Sequence, residues 1–356
     1  MARHRPIEQL RRSTAGIAAA LALGTLLAGA AAVPSRAQDA AAMSPAEQAL
    51  YQKAKAEGAV SIWAPVSREV SWIPAEFAKR YPGVKVTTVG DLQGGIKIIS
   101  EARAGSPTAD VWVTSIGDML QIQKRGLLAD TDWSLSKTLQ SNIFFGGQAA
   151  AFHNFVYCIL YAKDKVKESE LPDDWQDLLD PKWKGRLVAS DFLLPRLMGY
   201  FGIAWGPDKT EQWGKALISG QKTLITNAPR QNFLRTGERV VSVAEPTDAA
   251  YSYTQDGVPT GYHLMKLTPA GQFAVAAIKG GPHPAAATLL ANWLASEEGK
   301  RLAFVYNHES DIRPGATSAL AKEIKEKGIK VIFEDAENVD ERAAFYKQFS
   351  PLVRGQ

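Results

Sequence analysis

Five short polar clusters stand where a binding chain would present its chemistry. They are Ser67-Arg68, Thr114-Ser115, Ser190-Asp191, Asn227 with Arg230, and Glu245 with Thr247-Asp248. Each follows a short apolar run that reads as a strand and precedes a segment that reads as a helix. Gly94 and Gly95 also open a helix and would let backbone approach a ligand. Helix starts expose free N–H groups and partial positive charge, which suits an anionic or strongly hydrogen-bonding group. Taken singly, each Ser, Thr, Asp or Asn is more often a helix cap. Taken as a set, all at strand ends, they point to one ligand. The expected contacts are Ser67, Arg68, Gly95, Thr114, Ser115, Ser190, Asp191, Asn227, Thr247, Asp248 and Tyr251. Trp63 and Tyr251 are the aromatics nearest those strand ends; Trp112, Tyr200 and Trp205 read as core.

Catalytic chemistry finds little support. The chain has no Gly-x-Ser-x-Gly elbow, no His-Glu-x-x-His and no paired cysteine motif. Beyond residue 37 the histidines are His153, His263, His283 and His308, and His283 lies between prolines. No cofactor is expected.

Strand and helix patterns alternate, which predicts an α/β fold with a mostly parallel sheet. Ser44–Glu57 reads as a helix capped by Ser44, with Pro45 in its first turn. Val60–Ala64 reads as a strand, Ser67–Tyr81 as a helix, Val84–Val89 as a strand and Gly95–Ala104 as a helix. Val111–Thr114 and Ile116–Arg125 repeat the pattern. Ala149–Tyr161 is a long apolar run suited to a strand that crosses between lobes. Strands are expected near 187–189, 223–226 and 240–244, and helices over Pro284–Ala303 and Val339–Phe349.

The first 37 residues read as an export signal. Arg3, Arg5, Arg11 and Arg12 precede an apolar Ala/Gly-rich run, and Ser35-Arg36-Ala37 offers a cleavage site after Ala37. Arg11-Arg12 leaves twin-arginine export open beside the general route. The signal holds five arginines and one glutamate, so the formal +4 of the whole chain lies there and the remainder is balanced. No basic stripe remains to attract nucleic acid or anionic lipid. Cys158 is the only cysteine, which rules out an internal disulfide; its apolar neighbours make it a buried thiol. No cysteine follows the expected cut, so a lipid anchor is not expected.

Pro172-Asp173-Asp174-Trp175-Gln176-Asp177-Leu178-Leu179-Asp180-Pro181-Lys182-Trp183-Lys184-Gly185 reads as a punctuated helix–turn–strand. Its order resembles the P-x-x-W-x-D-L-x-D-P-x-W-K-G segment of periplasmic solute-binding proteins, in the ferric-type branch of family 1. Tyr81 to Val86, Ser106 to Trp112 (P-x-A-D-V), Gly280 to Lys300 (G-x-P-H-P…S-x-E-G) and Ile312-Arg313-Pro314-Gly315 resemble further family segments in the same order. The resemblance implies a two-lobed periplasmic-binding-protein-like α/β fold of type II, each lobe a mixed, mostly parallel sheet flanked by helices, with a hinge between lobes. It implies residues 38–150 and 280–330 in lobe 1, 151–279 in lobe 2, and 331–356 as a C-terminal helical segment packed on the lobes. It further implies a periplasmic monomer that captures a small-molecule solute in an interlobe cleft and hands it to an ABC permease and its ATPase. Anion-binding groups of the family fall at positions matched by Ser190, Asp191 and Asn227. Ferric members carry adjacent tyrosines past the strand matched by 240–244. Here Tyr251 and Tyr253 are separated and displaced, so no metal site is expected. A non-standard ferric site, an exported enzyme and a sensor's partner are the alternatives to transport of an anionic solute.

Overall fold

A single 14-residue strand, Ala149–Ala162, joins two separately packed cores. The computed structural model describes residues 43–355; the expected export signal and its cut lie outside the described residues. In chain order, α1 (Pro45–Glu57) starts at Ser44, whose hydroxyl accepts from Glu47 N at 3.1 Å. Then come β1 (Ala59–Ala64), α2 (Ser67–Val70), α3 (Ile73–Arg80), β2 (Lys85–Gly90), α4 (Gly94–Arg103), β3 (Val111–Ser115) and α5 (Ile116–Gln123). β1 pairs in parallel with both β2 and β3.

The short β4 (Ile143–Phe144) leads to β5 (Ala149–Ala162). Next are β6 (Leu187–Ser190), α6 (Leu193–Trp205), α7 (Pro207–Lys215), β7 (Leu224–Thr226), α8 (Gln231–Thr236), β8 (Val241–Pro246) and α9 (Ala249–Gln255). β9 (Thr260–His263), β10 (Leu267–Ala277), α10 (Pro284–Ala295), α11 (Glu297–Asn307), α12 (Ala319–Glu326), β11 (Lys330–Phe333) and α13 (Val339–Arg354) complete the chain. The sheet order is β2-β1-β3-β10-β5-β8-β6-β7, with β11 beside β10 and β4 and β9 beside β5.

Two strands cross between the cores. The first half of β5 pairs with β10, its second half with β8 and β9. β10 pairs with β11 at its start and β3 at its end. β5 is buried at nearly every position, which is why the Ala149–Tyr161 run is apolar apart from His153 and Asn154 and shows no polar alternation. Around Ile62, Phe77, Phe152 and Trp293 lies one core; around Trp175, Trp183, Phe201, Trp213 and Phe349 lies the other. Among the described residues no helix is long and apolar enough to cross a membrane.

Local chemistry explains the recurring motifs. The Asp110 carboxylate is fully buried and accepts from Ser61 N (2.8 Å), His283 N (2.7 Å) and the His283 ring (2.8 Å to Nδ1). Segments 173 residues apart are thus tied together. Trp175 donates from its ring to Leu267 O at 2.6 Å, and Trp213 donates to Trp175 O at 2.9 Å.

Two expected helices are each broken. The segment 67–81 divides into α2 and α3, because Trp72 donates its ring N–H to Glu69 O and Pro74 restarts the helix. The segment 284–303 divides at Ser296, which ends α10 and whose hydroxyl caps α11 through Gly299 N at 3.3 Å. A Cβ at Gly299 would overlap the carbonyl of Trp293, so this close turn requires glycine.

Candidate functional site

β1 ends at Ala64, and the short α2 then carries Arg68, exposed, and Glu69, partly buried. Asn307, the last residue of α11, donates to Glu69 O (3.1 Å) and to Glu309 Oε2 (3.3 Å). The chain next adopts a left-handed turn at His308 (φ 59°), an uncommon conformation for a residue with a side chain. That turn lays the His308 ring flat on Tyr251, with centroids 4.1 Å apart and planes 10° apart. Tyr251 belongs to α9, beyond β8; Ala250 and Tyr253 of that helix pack in a further apolar cluster with Leu160, Leu234 and Ile312, so segments far apart in the chain meet here. Asp248 opens α9, its carbonyl accepting from Tyr251 N at 3.1 Å.

The electrostatics are unusual for buried acids. Burial pushes the Glu69 carboxyl up to about 7, and the nearby Asp248 adds to this. Asp248 is pushed up to about 6 by burial, with Arg68 opposing and Glu245 assisting. Glu309 is raised well above the carboxylate range by burial, then by Asp248 and Glu69. Glu69 Oε2 is enclosed and has no hydrogen-bond partner. Beneath Glu309, His153 on β5 places Nε2 3.6 Å from Glu309 Oε2, beyond hydrogen-bond reach. Burial holds the His153 imidazole down to about 3, so it is neutral.

Of the expected contacts, Arg68, Asp248 and Tyr251 come together at this place. Ser67 lies beside them on α2 and is exposed. Thr247 is buried and donates its backbone N–H to Val156 O at 3.1 Å. Other positions have structural work. The Ser115 hydroxyl caps α5 through Asp118 N at 3.3 Å, and Thr114, wholly buried, donates to the same carboxylate at 3.4 Å. Ser190 accepts from Phe192 N (3.1 Å) and Leu193 N (3.2 Å), the N-terminus of α6. Asp191 N donates to Thr226 O at 3.3 Å, and Asn227 is exposed. Gly95 lies under the ring of Trp112, where a Cβ would come within 2.9 Å of that ring.

Trp63 points inward: it is 2% exposed and donates to Ser61 Oγ at 2.9 Å. Tyr251 and Tyr253 lie on different faces of α9, one 38% exposed and the other 7%. Arg230 is held by Glu245, which also accepts from Ser242 at 2.7 Å. Glu69, Asn307, His308, Glu309 and His153 are cluster members that the strand-end pattern did not single out. A histidine inside the apolar run 149–161 was the one signal available for them.

A cavity of about 160 Å³ lies beside α11 and shares Phe304 and Glu309 with the cluster. The Lys300–Asp311 ion pair (2.8 Å) lines its other side. Among the described residues no three His, Cys, Asp or Glu stand close enough to hold one metal ion.

Known proteins resemble this chain. "Iron uptake protein A1" of Synechocystis sp. is 29% identical over 147 residues, which is 38% of this chain and 39% of that protein's length. Iron-bound HitA from Pseudomonas aeruginosa superposes with a TM-score of 0.67 at 19% identity, covering 82% of this chain and 98% of that one. The substrate binding protein of an ABC transporter from Agrobacterium tumefaciens gives 0.68 at 15%, covering 85% and 97%. At these identities the solved structures establish the two-lobed, type II fold. The model of the bacterial extracellular solute-binding protein family matches residues 56–301, and the chain belongs to that family.

Proposed function

We propose that this protein is the periplasmic substrate-binding component of an ABC importer, a monomer that delivers a small solute to a membrane permease and its ATPase. The proposed lobes are 38–150 with 280–330 and 151–279, with 331–356 packed on them; residues 38–42 and 356 lie outside the described residues. The observation that carries the reading is the meeting of Arg68 and Glu69, from α2 after β1, with Asp248 and Tyr251, from α9 after β8, around the His308–Glu309 turn. A solute touching both sides favours the closed arrangement, with β5 and β10 flexing between them. No bond is made or broken.

An anionic, phosphorylated or carboxylated group on the solute is supported by Arg68, whose guanidinium is exposed at the rim. Arg230 offers less, because Glu245 already holds it. A thermal-shift screen of carboxylates, phosphates, amines and Fe(III), followed by solution scattering, tests the function. A true solute raises the unfolding temperature by mass action and contracts the particle at one ligand per chain. Binding at that stoichiometry with no contraction removes the hinge reading.

A second reading, ferric iron on a non-standard site, is favoured by the printed names of the relatives. A tyrosinate-to-iron colour lost in Tyr251→Phe or Tyr253→Phe supports that reading; colourless protein that rejects Fe(III) removes it.

A further inference from the structure

Glu69, Asp248 and Glu309 converge from three elements and are incompletely satisfied: Glu69 Oε2 is enclosed without a partner, and Glu309 receives a single long bond. Arg68 faces all three and is the base among them. Asp248 also faces Glu245, which Arg230 neutralises. His153, facing Glu309, is 4% exposed, and neither of its ring nitrogens has a hydrogen-bond partner. Arg313 and Asp311 face His153 from the other side and pair with each other at 2.9 Å. Glu309 is 8% exposed and receives one long bond, from Asn307.

Carboxylates that serve only the fold are satisfied, as Glu57 is by Ala285 N (3.0 Å) and Ala286 N (2.8 Å). Glu69 Oε2 and Glu309 want donors that the protein does not provide. An ammonium group carries three donors and a positive charge. The acids stand too far apart to share one metal ion but within electrostatic reach of one another. Arg68 at the rim suits the opposite end of the same molecule.

We propose that the floor of the cleft is a seat for a protonated amine, and that the solute is a small amine with an anionic group for Arg68. The inference rests on the solute-binding reading and names its substrate class. Free protein holds protons on Glu69 and Asp248 near pH 6–7. A bound ammonium favours the charged carboxylates, so capture releases protons and tightens as pH rises. A purely anionic solute would show the opposite slope.

The test uses linear ω-amino acids from glycine to 6-aminohexanoate, matched carboxylates lacking the amine, and putrescine. Affinity is measured by calorimetry at pH 8 and pH 5.5, with scattering for closure. An amino acid of suitable length is expected to bind at pH 8 and at least tenfold more weakly at pH 5.5, its amine-free match failing. Glu69→Gln and Asp248→Asn should each weaken it at least tenfold with unchanged circular dichroism. The seat is overturned if no amine binds at pH 8, if the matched carboxylates bind as well, or if binding tightens at pH 5.5. Should Fe(III) or an amine-free solute bind and contract the particle, the seat falls while the solute-binding function stands. Should none of these probes bind, the seat falls and the function is left to the wider screen.

Discussion

Two sets of buried carboxylates in this molecule live under opposite rules. Asp110 is wholly buried and fully satisfied, accepting two backbone N–H groups and facing the His283 imidazole. Glu309 is buried and Glu69 and Asp248 are partly so, yet they repel one another, and a Glu69 oxygen has no partner. Asp110 ties β1 to the start of α10. The other three meet around the His308–Glu309 turn. The difference separates a carboxylate that serves the fold from carboxylates whose donors are incomplete.

The largest effect should come from breaking the satisfied set. Asp110→Ala strands the Ser61 and His283 N–H groups in the first core, at a cost of about 3–5 kcal/mol in urea unfolding. A cost below about 1 kcal/mol would mean the tie between Asp110 and His283 is not structural. Glu69→Gln should act in the reverse direction. Its carboxyl lies at about 7 in the folded protein, against 4.5 for the free group. A carboxyl raised in this way favours folding while protonated. Its contribution is complete below about pH 4 and is lost as pH rises through about 7. The variant should therefore gain about 1–3 kcal/mol over wild type at pH 8 and gain nothing at pH 4. A loss at pH 8 would place Glu69 with Asp110. The smallest effect belongs to Tyr251→Ala. Tyr251 is 38% exposed and stacks on His308 alone at short range. The change should cost under about 1 kcal/mol of stability, measured by thermal unfolding, while weakening solute binding; equal losses in both would make the stack a structural contact.

The same division explains how far the sequence could be read. Alternating apolar runs located β1, β3, β6 and β8 within a residue or two, because strand faces must match a core. The crossing role of β5 followed from its length and its mostly apolar character, interrupted at His153 and Asn154. β9, β10 and β11 escaped, since the polar and glycine positions of 260–277 hide a strand whose partners lie far along the chain. Breaks at Trp72 and Ser296 depend on side-chain hydrogen bonds to the carbonyl three residues back, which no periodicity carries. The structure brings together Arg68, Asp248 and Tyr251, three positions expected from strand ends, where α/β sheets bind ligands. Ser115 and Ser190 stand at equivalent strand ends and are caps; their residue type suits both roles, and only the hydroxyl's partner decides. Glu69 and Glu309 had no signature at all. An exposed acid and a frustrated buried acid look the same until the chain is folded.

The account turns on whether the cleft carboxylates are held against the stability of the empty protein. The direct measurement is urea unfolding of the ligand-free wild type and of the combined variant Glu69→Gln, Asp248→Asn, Glu309→Gln at pH 8 and pH 4. The variant should be the more stable protein at pH 8, by more than Glu69→Gln alone, and the two should converge at pH 4. A variant less stable than wild type at pH 8, or an advantage unchanged at pH 4, would show that these carboxylates support the fold as Asp110 does.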